Sequence, residues 1–200
     1  MRLELHVRNS SGNETLDKKA KNSLWNNSQY FISLLGEPRE EINGLAFPLK
    51  DLPFSGFKIR YDIEKKFLGR IYVMVLEAKF GRTKKNHASE RIELRYSGFF
   101  KKGRPFFTPI PLEKAGDNGN VVLRLLNQDE GLIEECWKLD LEFLKVFFDP
   151  QEESWKVQVR PYGGSFIQIM LPPLRYNVML VKEQAELIFS IMKRIAELIN

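Results

Sequence analysis

The stretch WKVQVRPYGGSFIQIML, from Trp155 to Leu171, carries the reading of the fold. Apolar and polar residues alternate on either side of Gly163 and Gly164, the period-2 pattern of two half-buried strands meeting at a turn. Opposed residues of a hairpin share a face, so the register can be argued. A two-residue Gly163-Gly164 turn pairs Val159 with Gln168 and Arg160 with Ile167, apolar against polar. A three-residue loop, Tyr162 to Gly164, instead pairs Val159 with Ile167, Val157 with Ile169 and Trp155 with Leu171. It also supplies glycine where such loops need a left-handed residue. The second register is the expectation. Pro172 and Pro173 then end the ladder by removing two backbone donors, and residues 176–180 are long enough for one more short strand.

Downstream, residues 182–199 set Ile188, Ile191, Met192, Ile195, Leu198 and Ile199 along one side. Lys182, Glu183, Glu186, Lys193, Arg194 and Glu197 lie mostly off that stripe. This is an amphipathic helix of roughly 27 Å, enough to cross a sheet. Burying six such residues contributes on the order of 10 kcal/mol before entropy.

Upstream, residues 1–8 alternate as a strand through Leu3, Leu5 and Val7, and a helix is expected from about Glu14 into the Leu24-Trp25 region, with room to resume through Tyr30, Phe31, Leu34 and Leu35 before Gly36 and Pro38 stop it, Asn22, Asn26 and Asn27 being poor interior residues. Pro38, Pro48 and Pro53 with Gly44 and Gly56 make 36–56 an irregular connection. Residues 57–63 and 90–96 alternate as one-sided strands, whereas 70–80 is apolar on both faces through Ile71 to Leu76, as a central strand covered on both sides would be. Residues 98–119 read as loop and 120–138 as helix, with Gly131 against an unbroken one. Residues 141–148 and 155–159 are strands joined around Asp149 and Pro150.

The expected fold is therefore α+β: antiparallel meander sheets, a helix between the two strand groups, and a long C-terminal amphipathic helix packed on the sheet. One domain over 1–200 is the default, and it admits a two-half organisation, about 1–111 and 112–200, because both halves run helix then sheet.

With 43% hydrophobic and 28% charged residues in 200, the chain has an ordinary globular composition and enough length for a substantial core. No apolar run approaches the roughly 20 residues of a membrane span, and the N-terminus lacks a signal peptide's apolar region. The single cysteine, Cys136, excludes an intrachain disulfide and a cysteine metal cluster. A cytoplasmic protein is expected.

Chemistry-bearing residues are sparse. His6 and His87 have no spaced carboxylate or cysteine partner of a triad or metal motif. Cys136 follows Glu134 and Glu135, which raise rather than lower a thiol pKa, so a core role is expected. No spacing unites Glu134, Asp140 and Glu142 as a carboxylate pair. Gly163-Gly164 is followed by a strand rather than the helix a phosphate loop requires. No cofactor or metal is implied, and the inventory favours a binding module over an enzyme.

One segment has a functional accent. From Lys79 to Arg104 there are nine basic residues against two acidic ones, a local +7 within a total of +5, so the rest carries −2. Gly98 to Phe107 interleaves two Phe pairs with cations, the combination that holds single-stranded nucleic acid. The candidate contact residues are Lys84, Lys85, Phe99, Phe100, Lys101, Lys102 and Arg104, and the expected partner is nucleic acid or an acidic protein surface. Against this, adjacent Phe pairs anchor loops onto cores while cations stay solvated. The alternative function is a hydrophobic small-molecule or lipid-binding domain, or an enzyme, using a cavity between the sheet and the C-terminal helix.

The closing block, with Trp155, Pro161 to Ser165 and Pro172 to Tyr176, resembles a bacterial domain of unknown function. The resemblance implies no activity.

Overall fold

A computed structural model describes residues 16–49, 52–82, 91–98, 102–110 and 121–200. The expected strand over 1–8, and His6 and His87, lie outside them. Helix α1 (Lys18–Leu35) starts where Asp17 Oδ1 accepts from Lys19 N at 2.9 Å and Ala20 N at 2.8 Å. It therefore starts later than Glu14. It ends at Gly36, whose φ of 83° closes the last turn.

The strands follow as β1 (Arg39–Glu41), β2 (Gly44–Phe47), β3 (Phe54–Lys66), β4 (Gly69–Arg82), β5 (Arg91–Tyr96) and β6 (Pro105–Pro109). Helices α2 (Val121–Gln128) and α3 (Glu130–Lys138) come next. The chain continues through β7 (Leu141–Asp149), β8 (Ser154–Pro161), β9 (Phe166–Met170) and β10 (Pro173–Asn177) to α4 (Lys182–Ile199). All ten strands join one antiparallel sheet in the order β1-β2-β3-β4-β8-β7-β5-β6, with β9 on β4 and β10 on β9.

The period-2 pattern works here as one continuous apolar surface. Phe47, Phe57, Ala78, Val157, Val146 and Ile92 form a single rung across β2, β3, β4, β8, β7 and β5, each at most 5% exposed. The helices pack on that face, and α4 meets α1, α2, α3, β4 and β8. Phe57 joins the layers: its ring centroid lies 5.8 Å from Phe31 of α1 and from Phe47 of β2, and 6.3 Å from Phe189 of α4. The opposite face is polar, with Arg160 paired to Glu64 and, at 2.8 Å, to Glu142. On this face Val75 is nevertheless fully buried. It lies opposite Arg60, and Arg160 follows the Leu76–Val159 pair on the other side, so arginine stems take the place of a second layer.

Several expectations are corrected. The irregular segment 36–56 contains the β1–β2 hairpin, with Glu41 opposite Gly44. The loop 98–119 contains β6, which pairs with β5. The helix over 120–138 breaks at Asp129 rather than Gly131, because Asp129 Oδ1 accepts from Leu132 N at 2.8 Å and caps a new helix. The meander is also interrupted: β5 pairs with β7, and β8 takes the place beside β4.

The main correction concerns Trp155–Leu171, which is not a hairpin. β8 runs antiparallel along β4 from Arg82 to Leu76, the chain bulges through Tyr162–Ser165, and β9 resumes along the same strand from Tyr72 to Gly69. Val159 opposes Leu76 and Ile167 opposes Ile71, so the two never meet. Alternation sets the face of a strand but not its partner. The true hairpin is β9–β10, with Met170 opposite Pro173 and the cis Leu171–Pro172 bond in its turn. The two prolines thus turn the chain rather than end the ladder.

The bulge is held by a buried polar network. Gly164, at φ 81°, accepts at its carbonyl from Tyr61 Oη at 2.8 Å and from Asn27 Nδ2 at 3.4 Å, and its N–H donates to Val178 O at 2.6 Å. Asn27 Oδ1 accepts from Leu180 N at 2.8 Å, and Ser23 Oγ reaches Asn177 Oδ1 at 2.7 Å. Asn27, a poor helix-interior residue by propensity, is therefore together with Ser23 a polar link from α1 to the sheet.

Candidate functional site

Of the seven candidate residues, Lys84, Lys85, Phe99, Phe100 and Lys101 lie outside the described residues. Lys102 leaves the loop before β6 and turns back onto the protein: its Nζ donates to Leu139 O and, at 2.9 Å, to Asp140 Oδ1, and lies 4.7 Å from the Tyr96 ring centroid. Arg104 pairs with Glu130 at the start of α3. Of the other cations in the basic segment, Lys79 pairs with Glu152 and Arg95 with Glu93. Strand alternation divides the second Phe pair: Phe107 is buried and Phe106 half-exposed. Asn127 of α2 clamps Phe107, accepting from its N–H at 2.8 Å and donating to its carbonyl at 2.9 Å. No pattern in the sequence marked Asn127, because the contact joins α2 to a strand hidden in a loop-like segment.

The other candidates separate in space. Asp140 is engaged by Lys102 and Glu142 by Arg160. Cys136 is fully buried, and burial first, then Glu135, pushes its thiol from 9.0 to about 12. Burial likewise raises the Tyr61 phenol from 10.0 to about 12. Both folded pKa values lie above the unfolded ones, so the neutral groups contribute stability that is fully present below the unfolded values and is lost as pH rises toward 12. We expect a chromogenic disulfide reagent at pH 8 to leave Cys136 unreacted in the folded protein and to titrate it fully in guanidinium chloride. Rapid reaction without denaturant would show the thiol to be accessible.

The seam between α4 and the sheet is filled by Ile188, Ile191, Met192 and Ile195, all fully buried. A hollow of about 350 Å³ opens instead beside α3, lined by Asp129, Ser190, Lys193, Arg194, Glu197 and Leu198. It is polar and crossed by the Arg194–Asp129 ion pair at 2.7 Å.

The surface that sequence reading missed is a four-stranded arm. The distal halves of β3 and β4, with β9 and β10, end in two adjacent hairpin tips, joined by Met170 N donating to Leu68 O at 2.7 Å. The tips are apolar and open: Phe67 is 97%, Leu171 69% and Met170 62% exposed. Leu174 and Tyr176 on β10 are also exposed. One step back from the tips, Lys65, Arg70, Gln168 and Arg175 form a single rung across the four strands. Like charges directly opposite one another, as at Lys65 and Arg70, destabilise a sheet. Residues 65–70 and 166–177 together contain Lys65, Lys66, Arg70 and Arg175 and no acidic residue, while Glu64 next to them on β3 pairs with Lys66 at 3.0 Å. The only advance signal was Phe67-Leu68 between two strands, an apolar pair where turn residues are usual.

These features define an α+β protein whose single antiparallel sheet is covered by helices on one face and carries a cationic, apolar-tipped arm. The chain belongs to the DUF3156 family, proteins of unknown function, whose family model matches residues 34–199. No curated protein and no solved structure matches it.

Proposed function

We propose that the protein is a non-enzymatic, cytoplasmic binding module for an anionic partner, and that it makes contact through the arm. The observation that carries this reading is the cationic rung Lys65–Arg70–Gln168–Arg175 behind exposed Phe67, Met170 and Leu171. Cations beside exposed apolar side chains draw anionic surfaces by charge and hold them by desolvation. The basic segment 79–107 is less well supported, because among its described residues Phe106 alone is an exposed large apolar group, and its cations Lys79, Arg95, Lys102 and Arg104 face carboxylates, as Lys66 of the arm faces Glu64. Cytoplasmic placement is supported by the single cysteine, which is buried.

Heparin chromatography tests the reading. The wild-type chain should be retained and released by salt, as screening weakens exposed charge contacts. Replacing Lys65, Arg70 and Arg175 with Gln should abolish most retention, while replacing Lys101, Lys102 and Arg104 with Ala should leave it largely intact. The reverse pattern would restore segment 79–107 as the contact surface, with nucleic acid as its partner. Absence of salt-dependent retention would overturn both.

A further inference from the structure

We infer that β10 is the edge through which two copies of this chain join their sheets, antiparallel about a twofold axis at Tyr176. Three strands have a single neighbour in the sheet: β1, β6 and β10. An open edge is a row of unpaired N–H and C=O groups that templates another strand, and proteins blunt the edges they do not use. Two of the three are blunted. β1 is three charged residues, with Glu40 held by Lys21 and Glu41 by Lys58. β6 runs from Pro105 to Pro109, and the N–H and carbonyl of Phe107 are both taken by the Asn127 side chain. The stretch of β3 beyond β2, Asp62 to Lys66, is likewise charged at every position but Ile63. β10 has a proline only at its first position, and among the described residues no strand pairs with its far side.

The bonds to β9 fix which groups of β10 point outward. Val178 N donates to Ser165 O at 2.8 Å and Val178 O accepts from Gly164 N at 2.6 Å, so Val178 faces the β9 side. On the other edge of β9, Met170 N reaches Leu68 O, which turns Ile169 and Ile167 toward β10. Successive residues of an antiparallel strand offer both backbone groups to alternate sides. Leu174 and Tyr176 therefore bond inward to Ile169 and Ile167, and the N–H and carbonyl of Arg175 and Asn177 point out.

Those groups choose the partner and its register. Around a twofold axis at Tyr176, Arg175 meets Asn177 of the second copy, and each such pair exchanges two hydrogen bonds, so every outward donor finds an acceptor. Tyr176 then faces its own copy, and Leu174 faces Val178 of the second copy, on the side of the sheet away from the helices. These three are 53%, 41% and 40% exposed in the single chain. Arg175 lies beside an asparagine rather than a second arginine. A twofold centred on Arg175 instead would oppose two guanidiniums and set Asn177 against Pro173, which has no N–H to give. The edge is thus its own complement in hydrogen bonds, apolar pairs and charge, as a contact between identical surfaces requires. It stands apart from the anionic-partner reading, because it uses the backbone edge of the arm rather than the cationic side chains.

Sedimentation of the full chain tests the inference. The wild type should form a reversible dimer whose melting temperature rises with concentration. Arg175→Pro removes an outward N–H and leaves the inward bonds of Leu174 and Tyr176 in place. It should melt as dilute wild type does and dimerise at least tenfold more weakly. Arg175→Gln keeps the N–H and should dimerise like the wild type; a monomer there would mean that the guanidinium, not the edge, makes the contact, and would overturn the inference. Under mild oxidation Tyr176→Cys should link two chains through directly opposed positions. Arg175→Cys, on the other face and opposite Asn177, should link at least tenfold more slowly. If Arg175→Pro does not fold, the two cysteine variants decide. A wild type that stays monomeric up to millimolar concentration, a folded Arg175→Pro that dimerises unchanged, or linking no faster at Tyr176→Cys than at Arg175→Cys would each overturn the inference.

Discussion

Gly164→Ala is expected to destabilise the protein by about 3–4 kcal/mol in urea unfolding, a large share of the 5–15 kcal/mol typical of a domain. Two effects add. At φ 81° an alanine pays about 1–2 kcal/mol that glycine does not. A Cβ there would also overlap the Met74 sulfur, and overpacking of this kind costs about 1–3 kcal/mol. The bulge cannot shift to relieve the overlap, because the Gly164 N–H and carbonyl are both engaged by Val178, Tyr61 and Asn27. A double-mutant cycle separates the contributions. In a Met74→Ala background the overlap disappears and the cost of Gly164→Ala should fall toward the backbone part alone. An unchanged cost would mean that Met74 is not the obstacle.

The same position explains why the best-patterned stretch of the sequence was misassigned. Val157, Val159, Ile167 and Ile169 satisfy a hairpin register equally well whether the chain reverses or bulges and continues, since face-sharing is indifferent to which strand lies alongside. What decides between them is a third strand. Residues 69–82 of β4 are long enough to accept both β8 and β9 end to end, and reversal would have left one edge of Gly69–Tyr72 unpaired. The glycines were correctly read as a backbone device, but one for passing Met74 rather than for turning. Local signals did locate α1, the strands within 54–82, β7, β8 and α4, because each carries its own period. β1, β2, β6 and β10 are five residues or shorter, and prolines and glycines in or close beside them hide them among turns.

The candidate site was less legible for a related reason. Charge counted along the chain does not register compensation across it: Glu130 and Asp140 lie beyond the basic segment in sequence and against it in space. Conversely, the four cations of the arm are divided between two segments about a hundred residues apart, and neither segment is conspicuous alone. Sheet pairing is what assembles three of them, Lys65, Arg70 and Arg175, into one rung.

Ile191→Ala and Ile195→Ala in α4 should each cost about 2–5 kcal/mol, and together leave the chain at or below the threshold for folding. Both side chains are fully buried, and α4 meets all three other helices as well as β4 and β8, so a cavity there loosens several elements at once. The surrounding layers have little freedom to collapse into the void. One side is a hydrogen-bonded sheet, and the other is pinned by the Asn27 and Ser23 contacts and by Arg194 on Asp129, whose Oδ1 caps α3. The two positions are one turn apart on the same face, so their effects should couple rather than simply add. Lys193→Ala, between them in sequence but toward solvent, should change stability by no more than about 0.5 kcal/mol. Urea midpoints for the four proteins decide the matter. If the isoleucine variants unfold no earlier than Lys193→Ala, α4 is an accessory to the sheet rather than the element that closes its core.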